Sequence, residues 1–283
     1  MTVRSSRGSR DPGRVPAVVP VLAAVAGVTY GAWILQFLIN PQLDAVNGYV
    51  SELSASDQPF HYLFAAADFL AGALITIVGG AVLRRLRPRR SALVGWLALT
   101  AFGVFSMGDS LFAMDCAPNS DTTCALRERA GKVTFAHQFH TVTSACVVTA
   151  GIVSLIALTV AARRYGRWPV IARWSWPLMV LETVTALATL PLMYLGVLLG
   201  VMERVQVSVI SLWLFVIAGE LYAGRRRRRR APQAATRTES ARDGSVRDGS
   251  VRASPARERA APGKAAPGKA ASEKAVREKA TST

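Results

Sequence analysis

The chain contains three histidines, His61, His137 and His140. Each falls at the same end of a long apolar run, at the level also occupied by Asp68 and Asp109. Ionisable groups at membrane depth are costly and face a protein interior, a cavity or a partner. His137 and His140 are three residues apart, which on a helix puts them on one face, about one turn apart. Thr141 and Ser144 extend that polar stripe, and Ser106 shares a face with Asp109. Asp68 follows His61 by two turns on its own helix. Two chemistries suit this set. In the first, His61, His137 and His140 hold zinc through neutral imidazole nitrogens, and a metal-bound water acts as nucleophile. Asp68, Asp109 or Ser106 would then be the catalytic partner. In the second, the histidines and carboxyl groups form a hydrogen-bonded network between helices. The candidate pocket is the same in both: His61, Asp68, Asp109, His137, His140 and Ser144.

The elements that position these residues follow from hydropathy. A helix needs roughly 20 apolar residues to cross the hydrocarbon core. Six such runs are present, at 15–39, 61–83, 91–113, 135–161, 175–199 and 206–223. The fold class is therefore all-α: a six-helix transmembrane bundle over residues 15–223, with an arm at 1–14 and a tail at 224–283. A water-soluble domain is excluded. The first run continues through Trp33, Ile34, Leu35 and Leu38, too long for a signal peptide, so it reads as a retained span.

Arginines set the expected topology. They gather in the N-terminal arm (Arg4, Arg7, Arg10, Arg14), after the second run (Arg84, Arg85, Arg87, Arg89, Arg90), after the fourth (Arg163, Arg164, Arg167, Arg173) and at Arg225 to Arg230. The other side carries only Arg127, Arg129, Lys132 and Arg204. The positive-inside rule places both termini in the cytoplasm, and the expected location is the plasma membrane. The net charge of +16 is mostly a property of the tail, which holds 17 Lys and Arg against 6 Asp and Glu from residue 225 onward. Such a segment suits anionic lipid, and no nucleic acid is expected. The tail repeats RDGSV at 242–251 and AAPGK at 260–269 and is poor in large apolar side chains, so it reads as disordered.

Cys116 and Cys124 lie in the second outer loop, where an oxidising exterior permits a disulfide. Glu182 sits two turns inside the fifth run beside Thr183 and Thr189; Glu220 is near enough to the tail arginines to pair with them. Gly196 and Gly200 read as a G-x-x-x-G of the fifth span, a packing motif. The third outer connection reads as a short turn around Glu203 and Arg204.

Several segments in order carry a resemblance: Tyr49 to Ser54 (YVSELS), Pro59 to Phe64 (PFHYLF), Met114 to Pro118 (MDCAP) with Cys124, and His137 to Ser144 (HQFHTVTS). Over residues 15–223 the chain resembles the domain-of-unknown-function family 998. That resemblance implies a six-span membrane architecture and no assigned reaction. The Y-x-S-E pattern is also similar to the Frag/DRAM/Sfk group, which implies a link to lipid organisation. The histidines with Ser and Asp are similar to the zinc site of the ceramidase–adiponectin-receptor superfamily. This chain differs from it in having six spans, not seven, and H-x-x-H spacing.

The expected function is binding or organising a membrane lipid or small amphiphile in an outward-facing polar pocket. The alternatives are a zinc-dependent transmembrane hydrolase of a lipid amide or ester, and a proton-coupled carrier using Asp68, Asp109 and Glu182.

Overall fold

A computed structural model describes residues 15–86 and 89–251, giving for 231–251 only the course of the backbone. The arm at 1–14, Arg87 and the stretch 252–283 with the AAPGK repeat lie outside the described residues. Helices α1 (Val18–Tyr30), α2 (Gln36–Ile39), α3 (His61–Leu86), α4 (Arg90–Leu111), α5 (Thr122–Arg129), α6 (Phe135–Tyr165), α7 (Pro169–Leu195) and α8 (Leu199–Val251) follow in order, with no strand among the described residues. Six segments are long and apolar enough to cross a membrane: Val18–Ile39, His61–Arg85, Arg90–Leu111, Phe135–Tyr165, Pro169–Leu195 and Leu199–Arg230. The shortest has 22 residues, about 33 Å of helix against a core of about 30 Å. The protein is thus an all-α, multi-pass membrane protein.

Local chemistry sets the ends. The Thr134 hydroxyl accepts the His137 N–H and starts α6. Gly166, at φ +62°, ends it after Arg163 and Arg164, cations placed at the negative end of the helix dipole. Pro169 opens α7 six residues before the boundary expected from hydropathy. Gly196, at φ +68°, closes α7, so Gly196 and Gly200 stand on two different helices. The expected G-x-x-x-G is therefore broken by the left-handed glycine itself. The turn lies at 196–198, and Glu203 and Arg204 fall in the first turns of α8, not in a loop. The last span begins at Leu199, not 206, because two charged residues, Glu203 and Arg204, depress the hydropathy near its start.

The chain divides into two units, 1–232 and 233–283. In the first, α6 and α8 are central, half of the apolar 18-residue stretch of each being buried, against 11% of the corresponding stretch of α7. Small residues set the close approaches. A Cβ on Gly103 would stand 2.6 Å from the Gly72 carbonyl of α3. One on Gly95 would meet Leu158 of α6, and one on Gly27 the Ser211 carbonyl of α8 at 3.1 Å. Trp96, Phe102, Leu155, Leu158, Trp213 and Ile217 fill the interior. Leu187, Leu190 and Tyr194 are exposed along α7, as suits a lipid-facing surface. The boundary expected at 224 falls within α8, where Arg227 pairs with the buried Glu220. In the second unit, residues 233–251 are helical.

Candidate functional site

One end of the bundle carries arginines, and the other carries a cap made from two connections, 40–60 and 112–134. Glu52, fully buried, ties them together: its carboxylate accepts from the Asn119 N–H at 2.9 Å, Asn119 Nδ2 at 2.7 Å and Ser120 Oγ at 3.1 Å. Ser56 N–H donates to the Met114 carbonyl, and Ala117 N–H to Asp57. Cys116 and Cys124 form a disulfide beside Arg127, as their outer-loop placement suggests. The head of α8 fastens the first connection. Glu203 accepts the Val50 N–H at 2.6 Å. Arg204 donates to the Gly48 and Gly200 carbonyls and, at 2.5 Å, to Gln36. A Cβ on Gly200 would overlap the Gly48 carbonyl, so this approach requires glycine.

Electrostatics differ from point to point in the cap. Burial pushes the Glu52 carboxyl above its ordinary range, against the hydrogen bonds from Asn119 and Ser120. Burial, with Glu203 and Glu52 nearby, pushes Tyr49 up to about 12. For Asp115 the upward push of burial is outweighed by the bonds from Thr134 N–H and Oγ1, at 2.7 and 2.6 Å, which hold it below the usual carboxylate range.

Beneath the cap is a small polar cavity of about 50 Å³. Asp68 of α3, Asp109 of α4 and Glu203 of α8 line it, with Ser106, Tyr30 and Trp33. The first span breaks its α-helical pattern here. Gly31 ends α1, and a 3₁₀ turn, Ala32–Leu35, carries Trp33 into the lining. Asp109 is the best-held acid: Thr143 donates to it at 2.6 Å and Ser144 at 2.8 and 3.0 Å. A family model described as a protein of unknown function, DUF998, matches residues 23–220, which include every one of these groups. The chain belongs to the DUF998 family. No curated protein matches it, and no solved structure does.

The DUF998 region brings together part of the expected pocket. Asp68 and Asp109 share the cavity, and Ser106 lines it although its hydroxyl closes on the Phe102 carbonyl of its own helix. Ser144 and His140 reach the cavity only through Asp109, whose Oδ1 is 3.4 Å from His140 Nδ1. His140 Nδ1 also faces the Asp109 and Phe112 carbonyls, so Nδ1 carries a proton, and Nε2 is buried without a hydrogen-bond partner among the described residues. His137 lies one turn nearer the cap. Its Nδ1 accepts the Asp115 N–H at 3.0 Å, leaving Nε2 protonated and 3.6 Å from Glu128. His61 is held away from both: its Nδ1 lies 2.9 Å from the Gln58 carbonyl and its ring lies against Tyr62. Among the described residues no group of three or more His, Cys, Asp or Glu is arranged to hold a metal ion. The three histidines thus do not converge as the zinc pattern requires.

Glu203 and Arg204 are the residues that the hydropathy reading missed. The signal was present as an acidic and a basic residue side by side, at the start of an apolar run. A second space, of about 610 Å³, lies open between α4 and α6. Ala98, Ala101, Phe105, Val142, Ala145 and Val153 are among its walls, which are almost wholly apolar.

Proposed function

We propose that this DUF998 protein handles protons within the membrane, as a proton-coupled carrier whose first station is the cavity of Asp68, Asp109 and Glu203. One observation carries the reading: three carboxyl groups from three different helices face a single space of about 50 Å³. Like charges that share one site oppose each other, and a positive charge among them relieves it. The space admits a proton, a small cation or a few waters, and it is too small for an amphiphile. Intramembrane carboxyl groups of this kind mark proton relays and ion pathways. The arginine distribution and the disulfide support a plasma-membrane orientation with the cap outside and both termini in the cytoplasm. In that orientation Arg167→Cys labels with an impermeant thiol reagent only after cells are permeabilised.

The test is proton uptake by sealed proteoliposomes carrying a lumenal pH dye, with a pH step imposed across them. Wild type is expected to acidify the lumen faster than protein-free vesicles, and Asp68→Asn to abolish the difference. Wild-type uptake equal to that of empty vesicles would overturn the reading.

Binding or organising a lipid or small amphiphile is a second reading, and the α4–α6 groove favours it. Its apolar walls suit an acyl chain, and Thr141 on the same wall adjoins the polar stripe of His140 and Ser144. Filling the groove with Ala145→Trp is expected to reduce co-purified lipid seen by native mass spectrometry. A zinc-dependent hydrolase would need His61, His137 and His140 to close on one ion, with Asp68 or Asp109 accepting a proton. Stoichiometric zinc in wild type, lost in a His137→Ala/His140→Ala variant, would be its mark.

A further inference from the structure

Glu182 on α7 is 2% exposed, and its Oε2 has no hydrogen-bond partner among the described residues. The register of α7 against α8 determines what faces it. Gln206 donates to Thr189 at 3.0 Å, and the Val170 N–H donates to Glu220 at 2.7 Å. Thr189 lies seven residues after Glu182, and Gln206 seven before Trp213. Seven residues are two turns and return to the same face. Glu182 and Trp213 therefore stand at one level on facing stripes.

A third helix reaches the same level. Helices α6 and α8 run in the same direction, and Ile210 would lie 3.3 Å from a Cβ on Gly151. Three residues further along each helix are Ser154 and Trp213. Ser154 Oγ and Trp213 Nε1 are, like Glu182 Oε2, buried without a partner. This sets Ser154 apart from Ser106, Thr100 and Thr159, whose hydroxyls close on the carbonyl four residues back. A buried carboxyl, an indole N–H and a serine hydroxyl thus share one level on three packed helices, about 10 Å beyond Val147 and Val207 of the cavity. Between the two levels lies an apolar layer, Phe102 and Ile210 against Gly151, with Tyr30 edge-on to Phe102.

We infer that Glu182, Ser154 and Trp213 form a second proton-binding site, in series with the carboxyl-lined cavity and separated from it by the Phe102–Ile210 layer. The inference deepens the proton-coupled reading and rests on it. Glu182 takes a proton at Oε2 and becomes a neutral acid; losing it toward the arginine end restores the carboxylate. The indole and the hydroxyl keep their own protons and are the unpartnered donors available at that level when the carboxylate forms. The charged groups on α6 and α8 lie well away along the bundle, while Tyr30 of α1, which lines the cavity, is within electrostatic reach of Glu182 as well as of Asp68 and Asp109. Glu220, paired with Arg227, and Arg163, over the Trp176 ring, are about two turns toward the arginines. Glu203 lies toward the cap.

The test uses the full chain in lipid nanodiscs and infrared difference spectra between two pH values, read at the carboxylic-acid carbonyl stretch. Glu182→Gln is expected to remove one titrating band and Asp68→Asn a different one. Trp213→Phe is expected to shift the Glu182 band. If Glu182→Gln fails to fold, Glu182→Asp keeps the carboxyl and is expected to shift the same band. A folded Glu182→Gln with an unchanged spectrum, or a Glu182→Asp with an unmoved one, overturns the second site while leaving the cavity standing. Loss of a band in Glu182→Gln but in no cavity variant overturns the serial arrangement and the cavity reading together. The barrier has its own readout: Phe102→Ala is expected to raise passive proton leak into proteoliposomes, and an unchanged leak refutes the layer as the separation.

Discussion

Asp109 receives the hydroxyls of Thr143 and Ser144 while still facing the cavity. Asp68 and Asp109 were legible in the sequence because a carboxyl inside an apolar run has few roles. Glu203 was not, because it sits at the edge of its run, where a charge is cheap and a helix boundary is hard to place. The histidines were legible as a group but not in their contacts. In each ring Nδ1 is committed to a backbone group that no spacing rule records, such as the Asp115 N–H on His137. Two cap acids predict opposite pH effects. Asp115 is held low, so its contribution to stability is present above the usual carboxylate range and lost as pH falls through its own value. Glu52 is pushed up, so its contribution is present in acid and lost as pH rises through its raised value. Thermal unfolding across pH is expected to show Asp115→Asn losing the acid-side decline and Glu52→Gln the alkaline-side one. Parallel profiles for wild type and both variants would contradict this.

At the scale of elements, the number of spans and their approximate extents could be read from hydropathy alone, because roughly 20 apolar residues have no other use. Their ends could not, since these depend on single residues such as Pro169 and Gly196 that barely change an average. Helix neighbours were also hidden in one chain. The glycines that mediate them were visible, but not their partners. Gly103 against Gly72 brings α3 and α4 close enough that a side chain must displace backbone. Gly103→Leu is expected to destabilise the bundle by about 1–3 kcal/mol or more, seen as a lower midpoint in detergent unfolding. Gly80, which has open space around it, is expected to tolerate alanine without that drop.

At the scale of the molecule, the cap, the cavity and the arginine-rich end form successive levels along one bundle. The first connection is held on one side by Glu52 to the second connection, and on the other by the head of α8. Asn47 accepts the Leu198 N–H, Val50 donates to Glu203, and Gly48 accepts from Arg204. These partners are separated by about 150 residues of chain. A ribosome delivers residues 40–60 long before it delivers 198–204. The disulfide spans only 8 positions and needs none of α8. Biogenesis should therefore be ordered: the staple in the second connection closes early, and the first connection waits for the last span to insert. A chain stopped at Gly196 is expected to form Cys116–Cys124 yet be cut by protease between 40 and 60, whereas a chain stopped at Arg230 is expected to resist. Equal cutting of both would remove the last span from any part in sealing the cap.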